Sequence, residues 1–446
     1  MSGLIATGSL AAAGAATADD GGQHQGGAVA TLDGLKTFDR AVLRTKGKNH
    51  EIPAGVFEMT VDGGGRLKTY CIDIHNPTQD QAKYLETPWN QTSLGANKDA
   101  GKIRWILQHS YPQVDDLAVL AKEAGSGPLS ERTAAAGTQV AIWRYSDKAD
   151  VDALDPAAEK LADWLEGKAQ NVAEPKASLS LEPNAVSGKA GGRLGPVTVR
   201  TDAGQVAIAP PADAAASGIK VTDSKGKPLT SVVNGAQLYF DVPAGAADGS
   251  ATLTAQATTS VPVGRAFAGA TKSQTQILAG SSESTVSASA TATWAKAGAI
   301  PALSAKKNCA KGGVDITAAN KGDAPFSFEL MGVKHTIPAG TSRTVTIPVA
   351  EDQAYDFTIT GPGGFKKNFK GVLDCRTTGT PGPDNPPSQP SPASAGGTSG
   401  GPEGDLAATG SSSSTPMIAG IAVALVVIGG GAVFFLRKKK TPPAGE

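Results

Sequence analysis

A chain of 446 residues with 55 glycines, 29 prolines and only 5% aromatic residues is too long for one core and divides into two or three modest domains with linkers. Its 41 basic and 41 acidic side chains cancel, so no long-range field recruits nucleic acid or an acidic membrane surface. Five histidines and three cysteines show no metal-ligand spacing, and no glycine-rich phosphate loop opens a helix, so neither a metal nor another cofactor is expected.

Residues 1–18 are rich in Ala, Gly and Leu and end in Ala16-Thr17-Ala18 before Asp19-Asp20, the small-x-small pattern of a signal-peptidase site. Export is the expectation, although no basic residue precedes Lys36 and the true start could lie upstream; a flexible Ala-rich terminus is the alternative. Residues 28–176 carry most of the Trp and Tyr and all the clear helix patterns, which predicts a mixed α/β head. Val56–Val61 and Arg66–Asp73 read as two strands around the Gly63-Gly64-Gly65 turn, with Cys71 near the end of the second. Asp99 opens a helix through Ile103, Ile106 and Leu107 that Pro112 stops. Ser130-x-x-Thr133 starts another over Glu131–Tyr145, and Asp155-Pro156 starts one carrying Leu161, Trp164 and Leu165.

From 177 to 300, short alternating runs such as Val197-Thr198-Val199 and Gln237–Phe240 are punctuated by Gly, Pro and Asn, which predicts an immunoglobulin-like β-sandwich. A second such block at 301–377 holds Cys309 before its first strand and Cys375 after its last. In an oxidising compartment the simplest pairing is Cys309 with Cys375, a bridge that stabilises by about 4 kcal/mol on the chain-entropy model; the two pairings through Cys71 stay arithmetically open. Residues 378–405 are Pro, Gly and Ser rich, a disordered stalk that could extend on the order of 90 Å.

Residues 406–446 end the chain with Leu406-Ala407-Ala408-Thr409-Gly410, an uncharged apolar run at 417–436 and the basic cluster Arg437–Lys440. The run is long enough to span a bilayer with the basic cluster inside. This order resembles a cell-wall sorting signal of the Leu-Ala-x-Thr-Gly variant seen in high-GC actinobacteria. The resemblance implies transient membrane insertion, sortase cleavage between Thr409 and Gly410, and attachment to peptidoglycan at the extracellular face. A plain membrane anchor is the alternative.

If Cys309 and Cys375 pair, Cys71 is left over, and Gln139 lies 68 residues downstream in the run Gly137-Thr138-Gln139-Val140-Ala141-Ile142-Trp143. On a helix, positions 136, 139, 140 and 143 share a face, which sets the Gln139 amide on an apolar stripe where an unbonded amide costs about 1–3 kcal/mol. Small residues at 136 and 137 would let a neighbouring strand approach. The runs Tyr70-Cys71-Ile72-Asp73 and Thr138-Gln139-Val140-Ala141, with Trp105-Ile106-Leu107 and Tyr111-Pro112 between them, resemble the thioester domains of Gram-positive surface adhesins. That resemblance covers about 140 residues. It implies a Cys71–Gln139 thioester formed with loss of ammonia, and a wall-anchored adhesin that captures an amine, such as a protein Lys, as an isopeptide. The cross-link is a single-use electrophile, so no turnover enzyme is expected. Tyr70, Trp89 and Trp143 are candidates for excluding water, Thr138 is a further supporting residue, and Asp73 and His75 are candidates for moving the amine proton. Two other readings stand beside it: a secreted cysteine hydrolase or transpeptidase using Cys71 with His75 or His109, and a non-covalent wall-anchored spacer.

Overall fold

The computed structural model describes residues 26–361 and 364–376. The leader at 1–18, the linker at 378–405, the pentapeptide at 406–410 and the apolar run at 417–436 lie outside them. Among the described residues no helix is long and apolar enough to cross a membrane.

The head is built on β1 (Val29–Thr45), β2 (Lys48–Val61), β3 (Arg66–Cys71), β4 (Lys83–Thr87) and β5 (Val151–Ala153). The first two form a hairpin much longer than Val56–Val61 predicts, paired from Ala30 with Val61 to Thr45 with Lys48. Its outer half carries exposed Arg40, Glu51 and Arg44 in ion pairs, so the alternation that reveals a half-buried strand is blurred there. The strand order is β2, β3, Gln276–Ser281, Ala266–Gly269, β4, β1, β5, all antiparallel in register. Ala30 pairs with Val61 on one side and Tyr84 on the other, so the sheet closes on itself. Two of its seven strands come from the segment after 177, and the pairing therefore crosses the boundary expected there.

Four helices complete the head: α1 (Ala100–Gln108), α2 (Leu117–Ala124), α3 (Glu131–Ser146) and α4 (Pro156–Lys168). The Ser130 and Thr133 side chains form a reciprocal cap on α3, and Asp155 accepts from the Ala157 and Ala158 N–H groups at the start of α4. The short α2 escapes sequence detection because only Leu120 and Ala121 of its residues are buried, leaving no repeated apolar period. The α3 helix is buried on every side from Ala134 to Trp143, not along a stripe. At Gly137 the close neighbour is α4, not a strand: a Cβ there would lie 2.4 Å from the Ala158 carbonyl oxygen. Gly137→Ala should therefore destabilise the fold by about 1–3 kcal/mol despite alanine's better helix propensity, read as a lower urea midpoint.

Residues 177–300 form a four-stranded and a five-stranded sheet, with a helical turn at Ala214–Ser217. The outermost strand of the larger sheet, Ala185–Lys189, runs parallel to Glu283–Ala295. The β-rich character expected of this segment is present, and its 261–282 excursion supplies the two strands lent to the head. One apolar core runs through the head and the two sheets of 177–300, from Leu32 and Trp143 to Leu253 and Trp294. Residues 301–376 have their own core around Val314, Ile316, Phe326 and Phe369. The Cys309–Cys375 disulfide closes this module with its Cα atoms 5.1 Å apart.

Candidate functional site

Cys71 ends β3, and Gln139 sits in the middle of α3; both are fully buried. The Cys71 N–H donates to Gln139 Oε1 at 3.0 Å, and Gln139 Nε2 donates to the Cys71 carbonyl at 2.9 Å. The carboxamide is thus clamped to the backbone of the residue whose sulfur would attack it. A backbone N–H on the amide oxygen polarises the carbon and stabilises charge that develops there on addition. The Asp73 N–H donates to Cys71 Sγ at 3.2 Å, which supports negative charge on sulfur.

The surroundings oppose that charge. Burial, then Asp147, then Asp73, hold the Cys71 thiol well above its ordinary pKa, and the Trp143 indole N–H works against them. That buried Nε1 makes no well-formed hydrogen bond. Tyr70 donates to the Tyr111 carbonyl at 2.7 Å, and burial raises its pKa while the nearby Thr138 hydroxyl lowers it. The Thr138 hydroxyl itself donates to the Ala134 carbonyl at 2.8 Å.

Two buried carboxyl groups, Asp73 and Asp147, act on the thiol, and the half-buried Asp374 acts in turn on Asp73. Burial, Asp374 and Asp147 push Asp73 well above the usual carboxylate range, while Asn76 Nδ2, 2.6 Å from Oδ2, pulls it down. Asp147, capping the C-terminus of α3, is pushed up to about 7 by burial despite bonds from Ser146 Oγ and the Ile74 N–H. Asp374, from the third module, reaches about 6, again chiefly through burial. An aspartate whose folded pKa lies above the unfolded value of about 3.9 favours folding below that value and loses the contribution as pH rises through the folded pKa. The protein should therefore melt at a lower temperature at about pH 8 than at about pH 5. Asp147→Asn should flatten that slope in a thermal scan.

The other candidates lie elsewhere or differ in kind. His75 is partly buried, which lowers its pKa. His109 is exposed and stacked on Trp105, ring centroids 3.9 Å apart, with Nδ1 against the Trp105 carbonyl. Trp89 spends its indole N–H on Gly264 at 2.8 Å, at the contact with the lent hairpin. Asn76, Asp147, Thr275 and Asp374 carry no motif that sets them apart in sequence. Asp147 reads there only as a residue past a helix end, and Asp374 lies some three hundred positions from Cys71.

Residues 68–171 match the family model described as "Thioester domain", and the chain carries a domain of that family. Residues 299–372 match "Bacterial phospholipase C, C-terminal domain". Among solved structures, the Bacillus anthracis TIE protein aligns at 14% identity and a TM-score of 0.27, covering 78% of this chain and 81% of that one. The thioester domain of the Enterococcus faecium TIE86 protein aligns at 15% identity and a TM-score of 0.28, over 60% of this chain and 97% of its own. The thioester domain of the Staphylococcus aureus TIE protein aligns at 11% identity and 0.17, over 60% and 98%. At these scores the structural likeness carries no weight, and the family match over 68–171 stands by itself. No curated protein matches the chain.

Proposed function

We propose that the protein is a cell-surface adhesin that stores an acyl group as a Cys71–Gln139 thioester and spends it once on an amine of its target. The observation that carries this reading is the paired clamp of the Gln139 carboxamide on the Cys71 backbone, inside the buried core. Folding brings the two groups together at an effective concentration that for aligned intramolecular reactants reaches about 10⁵–10⁸ M. The Cys71 sulfur adds to the Gln139 carbonyl carbon, the C–N bond breaks, and the thiol proton leaves with nitrogen as ammonia. Later an amine adds to the same carbon, the C–S bond breaks, and an isopeptide to the target and a free thiol remain. A lysine is the amine that the chemistry favours on a protein surface. His109, exposed and stacked on Trp105 with Nδ1 against the Trp105 carbonyl, does not serve a Cys71 hydrolase.

Display on the wall completes the proposal. A leader at 1–18, sortase cleavage after Thr409 and transfer to peptidoglycan would hold the head outside the cell, and the Leu-Ala-x-Thr-Gly form points to an actinobacterial wall. The signal's order of pentapeptide, apolar run and basic tail supports this.

Intact mass tests the central claim. The unreduced protein should weigh one ammonia less than its formula, and methylamine should add once, at Gln139, while exposing one alkylatable thiol. A full mass with Cys71 already open to alkylation would sink the reading. The segment tested must extend through the lent hairpin to 281, because a 28–176 fragment lacks two strands of its sheet, including the one paired with Cys71.

A further inference from the structure

Beside the thiol, Asp73 is only half satisfied. Its Oδ2 accepts from Asn76 Nδ2 at 2.6 Å, whereas the buried Oδ1 has no partner. The disulfide-closed module reaches the same place from the other side. Its Asp374, just beyond the Lys366–Val372 strand, accepts from Thr275 Oγ1 at 2.6 Å, and the Thr275 carbonyl accepts the N–H of Ile72, between Cys71 and Asp73, at 3.1 Å. Asn76 and Asp374 line one small void of about 10 Å³, together with Ser273, Lys307 and Asp352.

We propose that Asp374 is a positioning residue for amine capture, acting on the Cys71 sulfur through the carboxyl group of Asp73. The inference rests on the thioester reading above. When an amine adds to the Gln139 carbonyl and the C–S bond breaks, nitrogen carries a surplus proton and sulfur lacks one. A bare Cys71 thiolate is costly in this buried, acidic setting. The sulfur therefore takes the Asp73 proton as it departs, and the resulting Asp73 carboxylate takes the surplus proton from nitrogen. One proton has moved from nitrogen to sulfur, and Asp73 ends as it began.

For this Asp73 must hold a proton near neutral pH, and a second carboxylate nearby keeps it there because like charges disfavour double ionisation. The charged and titratable groups around Asp73 are Cys71 on its own segment, Asp147 from the end of α3, Tyr84 from β4, and Asp352 and Asp374 from the third module. Asp374 contributes the largest charge effect on Asp73. Behind it, Lys307 favours the ionised form of Asp374, Glu351 opposes it, and Lys272 pairs with Asp352 at 3.3 Å. The third module is thereby part of the chemistry and not only a spacer.

The experiment uses the full chain, first shown by mass to be one ammonia light. Methylamine capture is followed by mass from about pH 5 to about pH 10, each rate divided by the free-base fraction. The corrected rate should be high at low pH and fall through one inflection. Asp374→Asn, which keeps an acceptor for Thr275, should move that inflection down by about one unit. Thr275→Val, which removes a bond favouring ionised Asp374, should move it the same way by less. An unmoved inflection in Asp374→Asn, or a rate changed by one factor at every pH, overturns the proposal and leaves the thioester reading standing, as does a wild type with no inflection. A wild type of full mass overturns that reading instead. Where Asp374→Asn does not fold, Thr275→Val decides by the same criterion, and an unmoved inflection overturns the proposal.

Discussion

Gln139→Ala is expected to abolish both the ammonia deficit and methylamine capture, with no residual rate, and Cys71→Ala is expected to do the same. Each removes one of the two atoms that must bond, so the effect is total and not graded. The variants differ in what they leave behind. Without Gln139 the Cys71 N–H and carbonyl both lose their partner from α3, and two buried backbone groups go unsatisfied at about 1–3 kcal/mol each. Without the Cys71 sulfur the clamp on the amide persists, because at residue 71 it uses only the backbone N–H and carbonyl. Cys71→Ala should therefore unfold at nearly the urea midpoint of a reduced, amine-treated wild type, whereas Gln139→Ala should unfold well below it. Gln139→Glu discriminates further: the side chain keeps its shape, but an ionised carboxylate is a poor electrophile, so neither bond formation nor capture should occur. Capture that survives in any of the three would place the reactive acyl group elsewhere.

Arg265→Met should produce the largest loss of stability, about 3–5 kcal/mol, seen as a drop in urea midpoint. Arg265 and Glu86 are 4% and 0% exposed at their side chains and meet at 2.8 Å. Glu86 also accepts from the Ala28 N–H at 3.0 Å, the Ser178 N–H at 2.9 Å and the Ser178 hydroxyl. Arg265 turns its second arm to Glu174 at 2.9 Å and to the Pro175 carbonyl. One ion pair thus ties β4, the crossover at 174–178 and the lent hairpin together. Removing only the arginine strands a buried carboxylate in a core shared by the head and the β-sheets of 177–300. Arg265→Met with Glu86→Gln should recover part of the loss, because the remaining amide is neutral. A single variant within about 1 kcal/mol of wild type would show that the pair does not hold these segments together.

The meeting of Cys71 and Gln139 was legible in the sequence to an unusual degree. Tyr70-Cys71-Ile72-Asp73 and Thr138-Gln139-Val140-Ala141 are local runs, and the structure brings Cys71 and Gln139 into hydrogen-bond contact. The helix caps at Ser130 and Asp155 were legible for the same reason, since capping is a contact between residues two or three apart. The pairing of Cys309 with Cys375 followed from compartment and counting. His75 and Trp89 show the limit: proximity to Cys71 in sequence, or bulk, did not say which way a side chain would be spent.

By itself the sequence determined the caps at Ser130 and Asp155, though Asp99 makes no cap bond on α1, and it singled out Cys71 and Gln139 as the pair whose chemistry is proposed, because each depends on residue type and short spacing. Only the tertiary structure decided that the strand beside Cys71 comes from residue 276 onward, that α3 is enclosed on all sides, and that a carboxyl group from the end of α3 acts on the thiol while one from the disulfide module acts on Asp73. Strand partners and buried charge are set by long-range closure of the chain, where the gain from burial and pairing is shared among segments hundreds of residues apart and leaves no period or motif in any one of them.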